Sequence, residues 1–124
     1  MKALVDTHAL FWALIQDKKK LTSKALQVID EAEMLLLPTI VLLELLGLLE
    51  KKQKLRYFDK LLNNLSDSKY VVIPLDITVL KETRSLKDKL ELHDRVIVAT
   101  AKSLNLPIIT KDEEITKLYK KIVW

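Results

Sequence analysis

Short apolar runs alternate with helical segments along the whole chain, and this alternation limits the folds that the chain can adopt. The runs that we predict as strands are Lys2–Val5, Met34–Leu37, Tyr70–Ile73, Leu106–Ile109 and, at an edge, Ile122–Val123. Strands that alternate with helices are typical of βαβ units, whose parallel sheet is covered by helices on both faces. The sequence therefore predicts an α/β fold, a three-layer α/β/α sandwich with a mainly parallel central sheet.

Helical periodicity and capping residues predict the segments between the strands. The predicted helices cover residues 9–16, 22 or 23 to about 32, 39 to about 54, 57–65, 76–86, 93 or 94 to about 104, and 113–119. A chain of 124 residues, of which 49% are hydrophobic, has the length and apolar content for one domain with its own core. We therefore expect a single domain over residues 1–124.

The composition excludes some classes of site and permits others. The chain has no Cys, which excludes disulfides, thiolate zinc sites and Cys nucleophiles. The formal charge of +4 permits binding to a polyanion without requiring it. Lys51, Lys52 and Lys54 are interpreted first as a solvated helix end, with a phosphate-facing rim as the alternative.

No segment is predicted to cross a membrane. The most apolar stretch, Met34–Leu49, is interrupted by Pro38 and Glu44 and is shorter than the ~18–20 apolar residues that a spanning helix needs. Asp6 breaks the apolar run near the N-terminus, so we expect no signal peptide. These features together predict a cytoplasmic protein.

Glu44 is the acidic residue that most needs an explanation. It is the only charged residue between Ile40 and Leu49, and no residue three or four positions away can pair with it. The predicted helix around it is apolar on nearly every side, which indicates burial or an interface. A carboxylate left alone there costs on the order of several kcal/mol unless a cation or hydrogen-bond donors compensate it. Glu44 therefore belongs to a functional site, to a structural salt bridge or to an exposed face.

Three aspartates lie where predicted strands end or helices begin. Asp6 follows the first strand, Asp112 follows the fourth, and Asp94 starts the helix that leads into the fourth. Each has a structural explanation, because Asp caps helix N-termini and complements the helix dipole. Their placement together with Glu44 has another explanation, because parallel strands bring their carboxyl ends to the one edge where ligands bind in α/β sheets.

Four carboxylates at that edge would form a site for a divalent cation. Carboxylates that are held close together repel one another, so a cation is needed to offset their charge. Oxygen ligands without Cys or paired His suit Mg²⁺ or Mn²⁺ better than zinc. Such an ion can activate water as a nucleophile, so the acidic residues favour a metal-dependent hydrolase.

Four segments carry further motifs, in order along the chain. They are Asp6-Thr7-His8 with Leu10 and Trp12, Thr39–Glu44, Asp94–Ala101, and Ile109-Thr110-Lys111-Asp112 with Ile115. These segments and the closing Val123-Trp124 resemble the motifs of PIN-domain proteins, in the group of VapC-like bacterial and archaeal toxins. The resemblance covers essentially the whole chain and implies the PIN-like form of the predicted sandwich.

The resemblance also implies a set of site residues and a reaction. The acidic residues of the Mg²⁺ or Mn²⁺ site would be Asp6, Glu44, Asp94 and Asp112. Thr110 would support the site through its hydroxyl, and Thr7 would contribute through its hydroxyl or backbone. The reaction would be hydrolysis of RNA phosphodiester bonds by water. The chain would then be an endoribonuclease, the toxin of a toxin–antitoxin pair, with RNA as substrate and an antitoxin protein as partner.

Two positions depart from the family pattern. Leu43 stands where many relatives have an aromatic residue before the helix Glu. Glu91 and the two residues after it stand where many relatives have Asp-Pro shortly before the third Asp, so Glu91 would replace an outer carboxylate. Neither change removes one of the four central carboxylates.

The roles of three further polar residues stay open at this point. His8 and His93 each lie beside an acidic motif, where an imidazole can transfer protons or orient a carboxylate, or can simply cap or pack. Arg95 can contact phosphate or form a salt bridge with a nearby carboxylate.

Two other functions and one mode of assembly also stay open. A phosphatase-type hydrolase of the haloacid dehalogenase kind would use Asp6 as nucleophile, but it would want a second Asp where His8 stands. A non-catalytic PIN-like scaffold would be indicated by loss of a carboxylate, and none of the four is lost. A homodimer or an antitoxin segment is expected over the long helix, because its leucines exceed what a small core covers. These leucines are Leu42, Leu45, Leu46 and Leu49.

Overall fold

The central sheet of the computed structural model, which describes all 124 residues, has five strands that are all parallel. They are β1 (Lys2–Val5), β2 (Met34–Pro38), β3 (Tyr70–Ile73), β4 (Ile108–Ile109) and β5 (Ile122–Val123). Their order across the sheet is β3-β2-β1-β4-β5. Leu4 of β1 is in register with Leu36 of β2 on one side and Ile108 of β4 on the other. All five predicted strands are present, and the edge position predicted for β5 is confirmed.

Seven α-helices connect the strands and cover the sheet. They are α1 (Thr7–Leu14), α2 (Ser23–Glu31), α3 (Thr39–Lys51), α4 (Leu55–Asn63), α5 (Ile77–Ser85), α6 (Leu92–Leu104) and α7 (Glu113–Leu118). The caps predicted for two of them are present, since the Thr22 side chain accepts a hydrogen bond from Ala25 N and that of Asp76 accepts one from Val79 N. The predicted α/β/α sandwich with a parallel sheet is confirmed.

Several element boundaries differ from prediction by a few residues, among them the ends of α1 at Leu14, of α4 at Leu55 and Asn63, and of β2 at Pro38. Three other differences have a local reason. Helix α1 begins earlier than predicted because Asp6 caps it. Helix α3 ends at Lys51, not near residue 54, because Gln53 adopts a left-handed backbone conformation with φ of 57°. Strand β4 is shortened to two residues because Pro107 has no N–H to donate, although its carbonyl still accepts from Leu4 N at 2.9 Å.

Helix α3 lies against the sheet and contacts α1, α4 and α6. Leu42, Leu45 and Leu49 are buried within the chain, at 9%, 0% and 0% exposure. The prediction that these leucines need a partner was therefore wrong for three of the four, because the other helices of the same chain cover them. Leu43 is the large exposed residue of this helix, at 62%.

The order of the strands creates one crevice at the carboxyl edge of the sheet. From β1 the chain proceeds to β2 and β3 on one side, and later crosses back to β4 and β5 on the other. The connections after β1 and β4 therefore leave in opposite directions, which is the arrangement that opens ligand sites in α/β folds. None of the helices is long and apolar enough to cross a membrane.

Candidate metal-dependent active site

The carboxyl edge of the sheet opens into a cleft of about 470 Å³. Its walls carry the side chains of Asp6, Glu44, Glu91, Asp94 and Asp112. The structure thus places all four sequence-predicted acidic residues in one cleft, together with Glu91. Three different helix N-termini and the second turn of α3 supply these residues.

Asp6 stands at the floor of the cleft, directly after β1. Its Oδ1 accepts a hydrogen bond from Ala9 N at 2.9 Å, and its Oδ2 accepts one from the Thr110 hydroxyl. Burial raises the pKa of Asp6 above its ordinary value, although both hydrogen bonds oppose this effect. Asp6 therefore caps helix α1 and also lines the cleft, so its two sequence-based explanations hold together.

Thr110 joins the ends of β1 and β4. Its side chain is 1% exposed, and its hydroxyl oxygen accepts a hydrogen bond from Asp112 N at 3.0 Å while it donates to Asp6. Asp112 in turn caps α7, since its Oδ1 accepts from the backbone N–H of Glu114 and Ile115 at 2.8 and 3.2 Å. This chain of hydrogen bonds fixes the relative positions of the two aspartates.

Glu44 projects from α3 and is held at both carboxylate oxygens. The Thr7 hydroxyl donates to Oε1 at 2.8 Å, and Nδ1 of His93 lies 3.3 Å from Oε2. The alternative of a salt bridge to Lys or Arg is not what the structure shows. The polar partners of Glu44 come from α1 and α6 instead. The packing of these helices against α3 therefore directs the Glu44 carboxylate into the cleft.

Asp94 lies in the first turn of α6, and its carboxylate accepts no hydrogen bond and forms no ion pair. Burial raises the pKa of Asp94 to about 6, and the negative charges of Asp112, Glu91, Glu44 and Asp6 add to this shift. Glu91, not Asp94, caps the helix, because its Oε2 accepts from the backbone N–H groups of His93 and Asp94. Asp94 is thus an uncompensated carboxylate among four others.

The carboxylate oxygens that line the cleft are ligands of the kind that a hard divalent cation prefers. In the arrangement seen here no group of three or more carboxylate or His side chains is close enough to ligate one ion. Both oxygens of Asp6 and Oδ1 of Asp112 accept hydrogen bonds from helix N-termini or from Thr110. Side-chain rotation would be needed to gather the ligands.

The polar residues whose roles the sequence left open divide between two places. His8 lines the cleft and its ring contacts Trp12, with 5.7 Å between centroids, while His93 faces Glu44. Arg95 lies in a different groove, with Leu80, and its buried Nε has no hydrogen-bond partner. The salt bridge proposed for Arg95 is therefore not seen.

Sequence reasoning did not place Gly47 and Lys51 in the cleft, although both line it. Their helical spacing from Glu44, at three and seven residues, was a usable signal because such residues share a helix face. The contact of His93 with Glu44 had no such signal, since it depends on how α3 packs against α6.

We expect Thr110→Val to destabilise the fold by about 1–3 kcal/mol, because it leaves buried polar groups of Asp6 and Asp112 without their partner. Urea unfolding of the metal-free protein measures this loss. Thr78→Val, at an exposed position, is the matched control and should change stability little. Equal stability of the two variants would show that the Thr110 hydroxyl does not organise the site.

Comparison with known proteins identifies a family for the chain. A family model described as PIN domain matches residues 3–121, which is nearly the whole chain. The comparison with curated proteins gives no significant match. The resemblance seen in the motifs is therefore confirmed at the level of the family.

Several solved structures share the fold at low sequence identity. A toxin–antitoxin complex from Klebsiella pneumoniae aligns with a TM-score of 0.72 and 19% identity over 98% of this chain and 96% of the other. VapBC2 from Rickettsia felis, bound to a promoter DNA fragment, gives 0.70 and 19% over 99% and 96%. VapC20 from Mycobacterium tuberculosis, a sarcin-ricin loop cleaving toxin, gives 0.70 and 15% over 94% of both chains. At these identities the likeness concerns the fold.

Proposed function

The chain belongs to the PIN domain family, and from this premise we propose that it is a metal-dependent endoribonuclease. The observation that carries the proposal is the cleft lined by five carboxylates, in which burial and then the four neighbouring charges raise the pKa of Asp94 to about 6. A site of this kind attracts a divalent cation and, through the cation, a phosphodiester. The cleft is also open to solvent at the edge of the sheet, where a polymer can enter.

Asp6, Glu44, Asp94 and Asp112 would hold Mg²⁺ or Mn²⁺, with Glu91 as an outer carboxylate. When bound, the ion supplies activation of water and neutralises charge on the phosphate. Thr110 keeps the Asp6 carboxylate in place by its hydrogen bond, and Thr7 and His93 keep the Glu44 carboxylate directed into the cleft.

The test is cleavage of RNA by the purified protein with Mg²⁺ or Mn²⁺, with and without a chelator. We expect internal cleavage of a single-stranded RNA with either ion and none with chelator, and no cleavage of DNA of the same sequence. RNA that stays intact under all conditions would favour the non-catalytic scaffold. Hydrolysis of a phosphate monoester, with RNA left intact, would favour the phosphatase-type hydrolase. The latter is disfavoured because His8 stands where a phosphatase of that kind would want a second Asp.

The toxin assignment extends this proposal and rests on the similar structures. Several of them are described as toxin–antitoxin complexes, and one toxin among them is described as cleaving the sarcin-ricin loop. We accordingly assign the chain an antitoxin protein as partner and cytoplasmic RNA as target. Induced expression should arrest growth, and co-expression of the product of a short neighbouring gene for a DNA-binding protein should restore it. Growth that continues despite RNA cleavage in vitro would limit the assignment to the nuclease.

We also propose a homodimer. Because α3 is covered within the chain, we assign the dimer interface to α5 and the start of α6. Ile77, Leu80 and Leu92 are 63%, 51% and 52% exposed, and Leu80 and Leu92 line one groove. Light scattering should give twice the chain mass of 14.3 kDa, and Leu80→Glu should give the monomer. Leu62→Glu, on α4, is the control that should stay dimeric. A monomeric wild-type protein at all concentrations would refute the dimer.

A further inference from the structure

The only glycine of the chain, Gly47, occupies the middle of helix α3 without a reason internal to the protein. It does not have a positive φ, so its backbone conformation is open to any residue. A Cβ added to it would meet nothing within 4 Å, so packing does not exclude a side chain either. Glycine within a helix is roughly 0.5–1 kcal/mol less stable than alanine. The chain therefore carries a destabilising residue that its own fold does not need.

Gly47 lies on the side of α3 that forms a wall of the cleft. Glu44, Gly47, Leu48 and Lys51 all line the cleft, and their spacing of three, four and seven residues places them on one helix face. The absence of a side chain at Gly47 leaves a gap in this wall between the Glu44 carboxylate and the Lys51 ammonium. A ligand can therefore approach the helix backbone closely at Gly47, where a Cβ would meet nothing within 4 Å.

Lys51 is the only Lys or Arg among the residues that line the cleft. It makes no ion pair in the structure, although five acidic side chains line the same cleft. It is exposed, at the last turn of α3, about 10 Å along the helix axis from Glu44 at 1.5 Å per residue. An unpaired ammonium at the end of an acidic cleft is placed to bind an anionic group of the ligand.

We infer that the strip from Gly47 to Lys51 is the binding track for the RNA backbone beside the scissile bond. This inference rests on the proposed nuclease function. It adds the direction in which the bound RNA runs away from the carboxylates of the cleft. Gly47 gives the sugar–phosphate backbone room against α3, and Lys51 binds a phosphate roughly one or two nucleotides from the cleavage point. The contact is to phosphate, so it does not depend on base sequence.

The role of Lys51 is tested by measuring the affinity for a fluorescent single-stranded oligoribonucleotide in Mg²⁺. All variants also carry Asp94→Asn, so that the RNA is not cleaved during the measurement. Lys51→Ala should weaken binding about tenfold. It should also reduce the slope of log affinity against log salt by about 0.7, the value for one phosphate contact on a single strand. Lys52→Ala removes the same charge from the neighbouring residue, whose Nζ lies over the Phe11 ring, outside the cleft. It should have a much smaller effect.

Gly47→Gln tests whether RNA binding needs the gap at Gly47. Glu50→Gln is the control, because it places the same side chain on an exposed position of α3 outside the cleft. We expect Gly47→Gln to melt at or above wild type and yet to bind RNA about tenfold more weakly. A structural role for the glycine would instead lower the melting temperature.

Several outcomes would overturn the inference. They are unchanged RNA affinity in Lys51→Ala and Gly47→Gln, equal losses in Lys51→Ala and Lys52→Ala, or neither RNA binding nor RNA cleavage by the wild-type protein. Tighter Mn²⁺ binding by Lys51→Ala with unchanged RNA affinity would also overturn it, since Lys51 would then only offset the acidic charge. If RNA binding depends on Lys51 but the wild-type protein does not cleave RNA, the binding track is supported and the proposed nuclease function is refuted.

Discussion

Asp94→Asn is expected to reduce the rate of RNA cleavage by about a thousandfold or more, and Asp6→Asn by a similar factor. Each substitution keeps the shape of the side chain and removes one negative ligand from the proposed metal site. Loss of one preorganised electrostatic group from an active site typically costs two to three orders of magnitude in rate, and loss of the ion costs more. The measurement is the initial rate of cleavage in saturating Mg²⁺ or Mn²⁺.

Asp59→Asn is the matched control for both variants. Asp59 is exposed on α4 and does not line the cleft, so the same chemical change there should leave the rate unchanged. Circular dichroism of all three variants establishes that they are folded. Undiminished cleavage by Asp6→Asn and Asp94→Asn would refute the assignment of these residues to the reaction.

Removal of the metal is expected to lower the melting temperature of the wild-type protein by on the order of ten degrees. A ligand that binds only the native state, at about 100 times its dissociation constant, stabilises it by roughly 2.7 kcal/mol. For a domain of about this size, each kcal/mol changes the melting temperature by a few degrees. Asp94→Asn should show a much smaller response to Mn²⁺, because it lacks one of the ligands.

The metal-free protein should also show an unusual dependence of stability on pH. The pKa of Asp94 is 3.8 for the free group and about 6 in the folded protein, where burial and four carboxylates disfavour its charge. The folded state therefore binds this proton more tightly than the unfolded state does. The free energy of unfolding should fall as pH rises from 3.8 to about 6 and stay low above it. A salt-bridged Asp has the opposite effect.

Thermal melting of wild type and Asp94→Asn in chelator isolates this contribution. The two proteins should have similar stability near pH 4, where Asp94 is largely protonated, and Asp94→Asn should melt higher near pH 7. Strong destabilisation of metal-free Asp94→Asn at pH 7, or a wild-type melting temperature that does not respond to Mn²⁺, would indicate that these residues are structural.

The parts of the fold that follow from local pattern could be predicted from the sequence. Strands β1, β3 and β5 lie where their apolar residues predicted them, and Thr22 and Asp76 cap helices as their residue types favour. The meeting of the acidic residues in one cleft was also predictable. For Asp6 and Asp112 it depends on the parallel topology, which brings the carboxyl ends of β1 and β4 together, whereas Glu44 and Asp94 enter the cleft from α3 and α6.

The parts that depend on tertiary packing could not be predicted. Residues 52–54 have side chains that favour a helix, yet α3 stops at Lys51 because the backbone turns at Gln53. The leucine content of α3 does not reveal how much apolar surface the remaining helices cover, so Leu45 and Leu49 were misjudged. The contact between His93 and Glu44 requires both the packing of α3 against α6 and particular side-chain rotamers.

The most direct test of the central claim is to locate Mn²⁺ by anomalous scattering in crystals of the protein grown with the ion. The account predicts a peak in the cleft, about 2.0–2.2 Å from carboxylate oxygens of Asp6 and Asp94, with Glu44 and Asp112 nearby or bridged by water. Such a peak should be absent in crystals of Asp94→Asn. Crystals that bind Mn²⁺ elsewhere or not at all, under conditions in which the same protein cleaves RNA, would contradict the assignment of this cleft as the active site.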